Sequence, residues 1–270
     1  MNFRACSILF ILLCSSVVAQ PFKIISYNIL DDNFLSHGDY SYVPEHILAW
    51  ENRKNALCNR IIKLNADVIC LQELNYESYM LFQMALQEYI GCYAQKASQN
   101  SGIGTFCRKS TFKEINHTPH LCPGTSHCGK LASQPAVFTT LVLPDQKKVQ
   151  VIHTKIKWTK EFEIPTSSYN HVNYILEQKP EFSCIIAGDF NVTQEHPLMK
   201  LFLKSNFFDP FSGSNITTCY ANEETKRIDY ILLSKDLITL DVTIDTIKSP
   251  IPNENEPSDH IPIGCTICHV

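Results

Sequence analysis

The chain predicts an α/β fold, and three observations carry that reading. Short apolar runs of strand character alternate along it with stretches of helical periodicity. Five polar clusters close or interrupt such runs: Ser26-Tyr27-Asn28-Ile29-Leu30, Leu71-Gln72-Glu73-Leu74, Gly188-Asp189-Phe190-Asn191, Arg227-Ile228-Asp229-Tyr230 and Pro257-Ser258-Asp259-His260-Ile261-Pro262. Each sets an Asn, Glu, Asp or His at a strand end, where α/β folds build their sites. Finally, 270 residues can bury one large core, and no linker or repeat divides them.

Taken in order, Lys23 to Leu30 alternates as a strand and Asp31 to Ala49 reads as a polar loop. Glu51 to Asn65 is a helix, with Leu57, Ile61 and Leu64 on one stripe, followed by the apolar strand Asp67 to Leu71. Glu77 to Tyr89 is a second helix. Gly102 to Arg108, Ala136 to Leu143 and Val149 to Ile156 are β-rich, Ser168 to Gln178 is helical, and Cys184 to Ala187 is a short buried strand. Pro197 opens a helix through Lys204, since proline suits a first turn. Arg227 to Leu233, Ile238 to Ile244 and Ile261 to Cys268 supply the last strands. Loop 113 to 135, with His117, His120, His127, Cys122 and Cys128, is where chain-specific contacts are expected. Its histidines leave a metal site open as an alternative.

Each polar cluster alone has an ordinary explanation. Gly-Asp-x-Asn makes a good turn, and Asp229 can pair with Arg227, two residues away on the same strand face. The ordinary explanations do not account for five clusters, each closing a β segment and all limited to oxygen ligands plus one imidazole. Together they point to one hydrolytic site built around a hard metal ion.

In this order Asn, Glu, Asp-x-Asn, Asp, Asp-His, the chain resembles the endonuclease/exonuclease/phosphatase superfamily, from about Lys23 to the C-terminus. Ser26 to Leu30, Trp50-Glu51-Asn52-Arg53-Lys54, Asn65 to Glu73, Gly102 to Phe106 and Pro257 to Pro262 are most similar to its nocturnin, angel and carbon-catabolite-repressor deadenylase branch. The resemblance implies a four-layered α/β sandwich, two mixed β-sheets face to face with helices outside. It further implies Mg²⁺ or Mn²⁺ held by Glu73, with Asn28 and Asp259 contributing. Asp189 would orient and deprotonate the attacking water, while Asn191 donates to a phosphoryl oxygen. His260 would contact the phosphate, its tautomer fixed by Asp229.

One segment departs from that branch, whose corresponding strand ends in Asn-Thr-His. Here Val151-Ile152-His153-Thr154-Lys155-Ile156 puts Lys155 at the histidine position and His153 two residues earlier. Either Lys155 binds phosphate as an electrostatic clamp or His153 does so from a shifted backbone; an interior strand position is the ordinary reading of His153.

Residues 1 to 19 read as a cleavable secretory signal: Arg4, an apolar stretch from Ile8 to Leu13, then Val17-Val18-Ala19. The apolar run is too short to span a bilayer, so an exported protein without stable membrane insertion is expected. Of 12 cysteines, Cys6 and Cys14 lie in that segment, and an even remainder fits disulfides, with Cys122 and Cys128 a candidate pair. Cys70 and Cys184 read as buried thiols. The formal net charge of −4 excludes a broad polycationic nucleic-acid footprint but suits a site gripping one or two phosphates through a metal. The expected function is therefore a secreted, Mg²⁺-dependent phosphodiesterase, active as a monomer on nucleic acid, single-stranded RNA above duplex DNA. The alternatives are a phospholipid such as sphingomyelin, with Phe207-Phe208 and Phe211 as apolar candidates, a small phosphate ester, or a non-catalytic binding module.

Overall fold

The computed structural model describes residues 20–97, 99–123, 133–158, 164–221 and 223–269. The expected signal segment, Cys128 and His127 lie outside them. The first half comprises β1 (Phe22–Asn28), a 3₁₀ helix (Asp32–His37), α1 (Glu45–Leu48), α2 (Trp50–Leu64), β2 (Val68–Leu74), α3 (Tyr76–Ala85), β3 (Tyr89–Gln95), β4 (Gly102–Arg108) and β5 (Glu114–Cys122). There follow β6 (Gln134–Val142), β7 (Lys148–Thr154), α4 (Thr166–Glu177), β8 (Ser183–Asp189), α5 (Pro197–Lys204) and β9 (Phe207–Phe208). The last are β10 (Cys219–Ala221), β11 (Glu224–Lys226), β12 (Asp229–Ser234), β13 (Leu237–Ile244) and β14 (Ile263–His269).

Two six-stranded sheets form, ordered β13-β14-β1-β2-β4-β3 and β5-β6-β7-β8-β12-β9, with β10 and β11 as a separate ribbon. Both are mixed: β1–β2 and β7–β8 run parallel, and the other pairs antiparallel. Strand alternation sorts the side chains into three layers of core. Ile24, Cys70, Ile263, Val151, Ala187 and Ile231 meet between the sheets. Ile25, Tyr27 and Leu71 face outward onto Leu57 and Ile61 of α2 and Phe82 of α3. On the far side, Ile152, Ile186 and Leu232 pack on Val172 of α4 and Phe202 of α5. The result is the four-layered α/β sandwich, helices on sheet on sheet on helices.

Three segments differ from the sequence expectation. Loop 31–49 contains a short 3₁₀ helix and α1. The second helix stops at Ala85, and Tyr89 instead starts β3, its ring packed in the helix-side core and its hydroxyl donating to Ala66 O at 2.7 Å. Loop 113–135 begins as β5, paired along its whole length with β6. Pro119 obscures that strand in the sequence, yet an edge strand bonds on one side only and tolerates it. His117 and His120 each engage a hydroxyl through Nδ1, of Thr139 at 2.8 Å and Tyr174 at 2.9 Å. Cys70 and Cys184 are buried free thiols. Among the described residues no helix is long and apolar enough to cross a membrane.

Candidate active site

The inner-face alternation that buries Ile24, Cys70, Val151, Ala187 and Ile231 also carries Asn28, Lys155, Asp189 and Asp229 to one rim of the inter-sheet core. There Asn28, almost wholly buried at the end of β1, cross-links the site. Its Nδ2 donates to Glu73 Oε1 and to Asp189 Oδ2, each at 3.0 Å, and lies 3.4 Å from His260 Nε2.

Glu73 would follow Leu71 to the helical face if β2 stayed regular. A register shift between Gln72 and Leu74, with Glu73 at φ 57°, breaks the alternation. Such left-handed backbone costs a non-glycine residue about 1 kcal/mol or more and persists where the surrounding contacts hold it. The redirected carboxylate meets Asn28, the Asp31 amide at 3.2 Å, and Lys155 Nζ. Lys155 also bonds Asp189 Oδ2 at 3.1 Å, and its Nζ lies 5.4 Å from the Phe34 ring centre. Burial disfavours this ammonium, but Glu73 and Asp189 overcome it and push its pKa above the ordinary lysine value. Gly188 makes the approach of β8 to β7 possible: at φ 148° a Cβ there would lie 1.7 Å from Thr154 O, next to Lys155.

Asp189, fully buried at the end of β8, lies opposite Asp229, the first residue of β12. Burial raises a carboxyl pKa, yet Lys155 and His260 outweigh it and hold Asp189 below the usual range, ionised. Asn191 turns back on this residue: its backbone N–H donates to Asp189 Oδ1 at 2.9 Å, and its amide donates to Ile156 O at 2.8 Å. His260 places Nδ1 2.8 Å from Asp229 Oδ2. Burial alone would lower this imidazole, but Asp229 lifts it well above its ordinary value and so stabilises the imidazolium. Arg227, the alternative partner of Asp229, pairs instead with Asp209 at 2.6 Å. Asp259 accepts from Tyr40 Oη at 2.7 Å. Ser258 ties this last loop to β1 by donating to Asn28 O at 2.7 Å.

His153 is the exception among the residues expected to bind phosphate. It is fully buried between the sheets, accepting from Gln72 Nε2 at 2.7 Å and lying 2.9 Å from Thr105 Oγ1. With polar neutral partners and no carboxylate, burial pushes its pKa down to about 3, so it is neutral and supports the site from below. Lys155, not His153, reaches the rim.

The structure adds residues that the linear sequence does not assign. Arg53 of α2 is buried and donates to Leu48 O, Ile29 O, Leu30 O and Pro257 O, and to Asp32 at 2.5 Å. It thereby fastens the chain after β1 to the end of α1 and to the stretch before Asp259. The signal was present: residue 53 continues the apolar stripe of Leu57 and Ile61, where an arginine needs buried acceptors. Asp31 is buried beside Glu73, with one carboxylate oxygen on the Asn33 amide at 2.9 Å and Oδ2 without a hydrogen bond among the described residues. Burial pushes its pKa up to about 6, and the Glu73 charge adds to the shift. Cys219 is bridged to His260 along β10, and Tyr40 caps Asp259; nothing in their local sequence marks either.

The cluster fits a hard divalent cation. Asp31, Glu73, Asp189, Asp229 and Asp259 are all buried, and the cationic side chains bonded to them are Lys155 and His260. Concentrated negative charge out of water is costly unless a cation compensates it, and the donors are oxygens, as Mg²⁺ or Mn²⁺ prefers. Ligand atoms of Asp189, Asp229 and His260 lie within 4.8 Å of one another, as do those of Cys219, Asp259 and His260; Glu73 is in neither group and is joined to Asp189 through Asn28 and Lys155.

Fold and site define the class: an enzyme that hydrolyses phosphate ester bonds with a divalent metal. The chain belongs to the Endonuclease/Exonuclease/phosphatase family, whose model matches residues 25–260. It is similar to the CCR4-Not complex 3'-5'-exoribonuclease subunit Ccr4 of Candida albicans, 21% identical over 91% of this chain and 41% of that protein. It is also similar to carbon catabolite repressor protein 4 homolog 1 of Arabidopsis thaliana, 33% identical over 35% of this chain and 17% of that protein. The match thus spans well under half of either relative's length. Among solved structures, ANGEL2, a 2',3'-cyclic phosphatase, superposes with a TM-score of 0.80 at 18% identity, covering 94% of this chain and 97% of its own. The human nocturnin catalytic domain superposes at 0.72 with 22% identity, covering 93% and 94%.

Proposed function

We propose that this protein is an exported, Mg²⁺-dependent phosphodiesterase that shortens RNA from its 3′ end. The observation that carries the reading is the Asn28 amide, which bonds Glu73 and Asp189 at once beside the His260–Asp229 pair. This holds a candidate metal ligand and a candidate base on one phosphate-sized rim. The Ccr4 and ANGEL2 similarities support RNA as the substrate class, and the leader-like sequence of residues 1 to 19 supports export.

Glu73 would hold the metal, with Asn28, Asp259 and Asp31 beside it; when bound, the ion neutralises phosphate charge and stabilises the departing oxygen. Asp189 stays ionised and orients the water, taking its proton as attack proceeds. Its Oδ2 is fixed by Asn28, so the carboxylate cannot turn away. His260, protonated through Asp229, presents Nε2 to a phosphoryl oxygen as charge develops there. The Asn191 amide donates to Ile156 O at 2.8 Å and to Asp189 Oδ2 at 3.3 Å, so it can serve a phosphoryl oxygen only by releasing one of the two. Lys96, whose ammonium is lowered by burial and then by Lys155 and Lys157, adds positive charge near the rim for the rest of the nucleic-acid chain. The lipid alternative loses its apolar candidates, because Phe207 and Phe211 are buried and Phe208 packs against the inter-sheet core.

The test is a substrate panel with the purified protein and Mg²⁺ or Mn²⁺: poly(A), mixed RNA, single- and double-stranded DNA, sphingomyelin and nucleotide phosphates. Stepwise loss of nucleotides from RNA 3′ ends, stopped by chelator, is the expected result. Hydrolysis of sphingomyelin or of free nucleotide phosphates with RNA untouched overturns the substrate assignment.

A further inference from the structure

We propose that Lys155 is a tethered cation that competes with the divalent metal at Glu73, so that ammonium and ion oppose one another there and this one residue lowers metal affinity. The inference rests on the reading of Glu73 as metal ligand and adds to it a built-in rival.

Acceptor positions on the site carboxylates are few. A carboxylate oxygen offers two acceptor positions. Glu73 Oε1 is filled, by Asn28 Nδ2 at 3.0 Å and by Lys155 Nζ, while Oε2 accepts the Asp31 amide and keeps one position, so an ion there still lies across one carboxylate from the ammonium. Asp189 Oδ2 is crowded as well, by Asn28 at 3.0 Å, Lys155 at 3.1 Å and the Asn191 amide at 3.3 Å. Of these donors only Lys155 carries a charge and hangs on a flexible four-carbon stem. A divalent ion taking Oε1 displaces a donor and sits against a positive neighbour, and like charges a few ångströms apart repel strongly away from bulk water. The donor that yields is the lysine. It has somewhere to go: its side chain is 19% exposed, and the Phe34 ring, 5.4 Å from Nζ, offers a cation a π face on the way out. Released, the ammonium stands at the cleft mouth, where a phosphate arrives.

The structure therefore describes a site whose excess negative charge is partly neutralised by its own chain. Metal binding becomes an exchange of one cation for another, and its affinity reflects only the difference between them.

The test follows Mn²⁺ uptake by the loss of the free-ion paramagnetic resonance signal, in the parent protein, Lys155→Gln, Lys155→Arg and Glu73→Gln, with thermal melts in chelator as a check of folding. Lys155→Gln is expected to bind Mn²⁺ on the order of tenfold more tightly, Lys155→Arg to stay close to the parent, and Glu73→Gln to lose binding. Equal or weaker binding by Lys155→Gln, with Glu73→Gln still abolishing it, overturns the competition and leaves the metal site standing. Absence of Mn²⁺ binding in folded parent and folded Lys155→Gln overturns both. A second measurement needs no variant: if Mn²⁺ expels the ammonium, acylation of Lys155 by an amine reagent, read by mass spectrometry, rises several-fold on adding the ion. Unchanged labelling under saturating Mn²⁺ also overturns the proposal.

Discussion

The two ends of the paired sheets treat their acids in opposite ways. At the quiet end, Asp67 sits before β2 with both carboxylate oxygens bonded: Oδ1 by Arg108 Nε at 3.2 Å and Thr111 Oγ1 at 2.7 Å, Oδ2 by the Lys23 amide at 2.8 Å. Asp236 there takes hydroxyls from Ser183 and Ser234, which overcome burial and lower its pKa. At the site end the carboxylates crowd together in greater burial, two of them, Asp31 and Asp229, with an oxygen without a hydrogen bond among the described residues. A cavity alone does not mark the site, since one of about 480 Å³, lined by Lys179, Phe207 and Asp236 among others, opens at the quiet end. What separates them is unmatched charge. Matched acids hold the fold together, and unmatched ones are kept for a cation and a substrate.

The strongest way to break this contrast is to remove one acid from each end. Asp189→Ala is expected to lower turnover about 10²-fold or more through loss of the general base, while Asp67→Ala lowers the melting temperature and leaves turnover unchanged. Comparable rate losses in the two variants would erase the distinction. A sharper cut is Asp229→Asn, read as a pH–rate profile. Asp229 keeps the proton on His260 to higher pH, so without it His260 deprotonates earlier as pH rises. The alkaline limb should move to lower pH with a rate loss of roughly tenfold at the optimum. A limb that stays in place would mean that Asp229 does not govern the imidazole.

The smallest effect concerns His153, the buried histidine below the site. Its folded pKa of about 3 lies under the ordinary value, so the unfolded chain binds more protons between the two. Stability then rises with pH up to about 6.5, levels off above it, and is lost as pH falls toward about 3, by roughly 1.4 kcal/mol per pH unit. His171, pushed down to about 4 by burial, contributes in the same direction. His153→Gln should flatten part of this acid limb in urea denaturation between pH 7 and pH 4. An identical limb in the variant would show that His153 is not the group responsible.

Much of this was legible in the chain. The central strands are rich in apolar residues and buried on both faces, so β1, β2, β8 and β12 and the polar residues that close them stand out. β3 and β5 do not, because each lies at a sheet edge with one-sided pairing and mixed composition. The site divides similarly. Asn28, Asp189 and Asp229 follow from strand periodicity, whereas Glu73 depends on a bulge that no local pattern announces. Asp31 and Tyr40 matter only because distant segments fold over them, at Glu73 and Asp259. The choice between His153 and Lys155 required knowing where β7 ends relative to the rim.

Arg53 has a consequence for motion. One guanidinium holds carbonyls from the chain after β1, from the end of α1 and from the stretch before Asp259. None of these segments can swing outward alone without breaking charge-assisted bonds that the others share. The walls of the cleft should therefore open, and exchange their amide hydrogens, as one cooperative unit with α2 rather than as independent flaps.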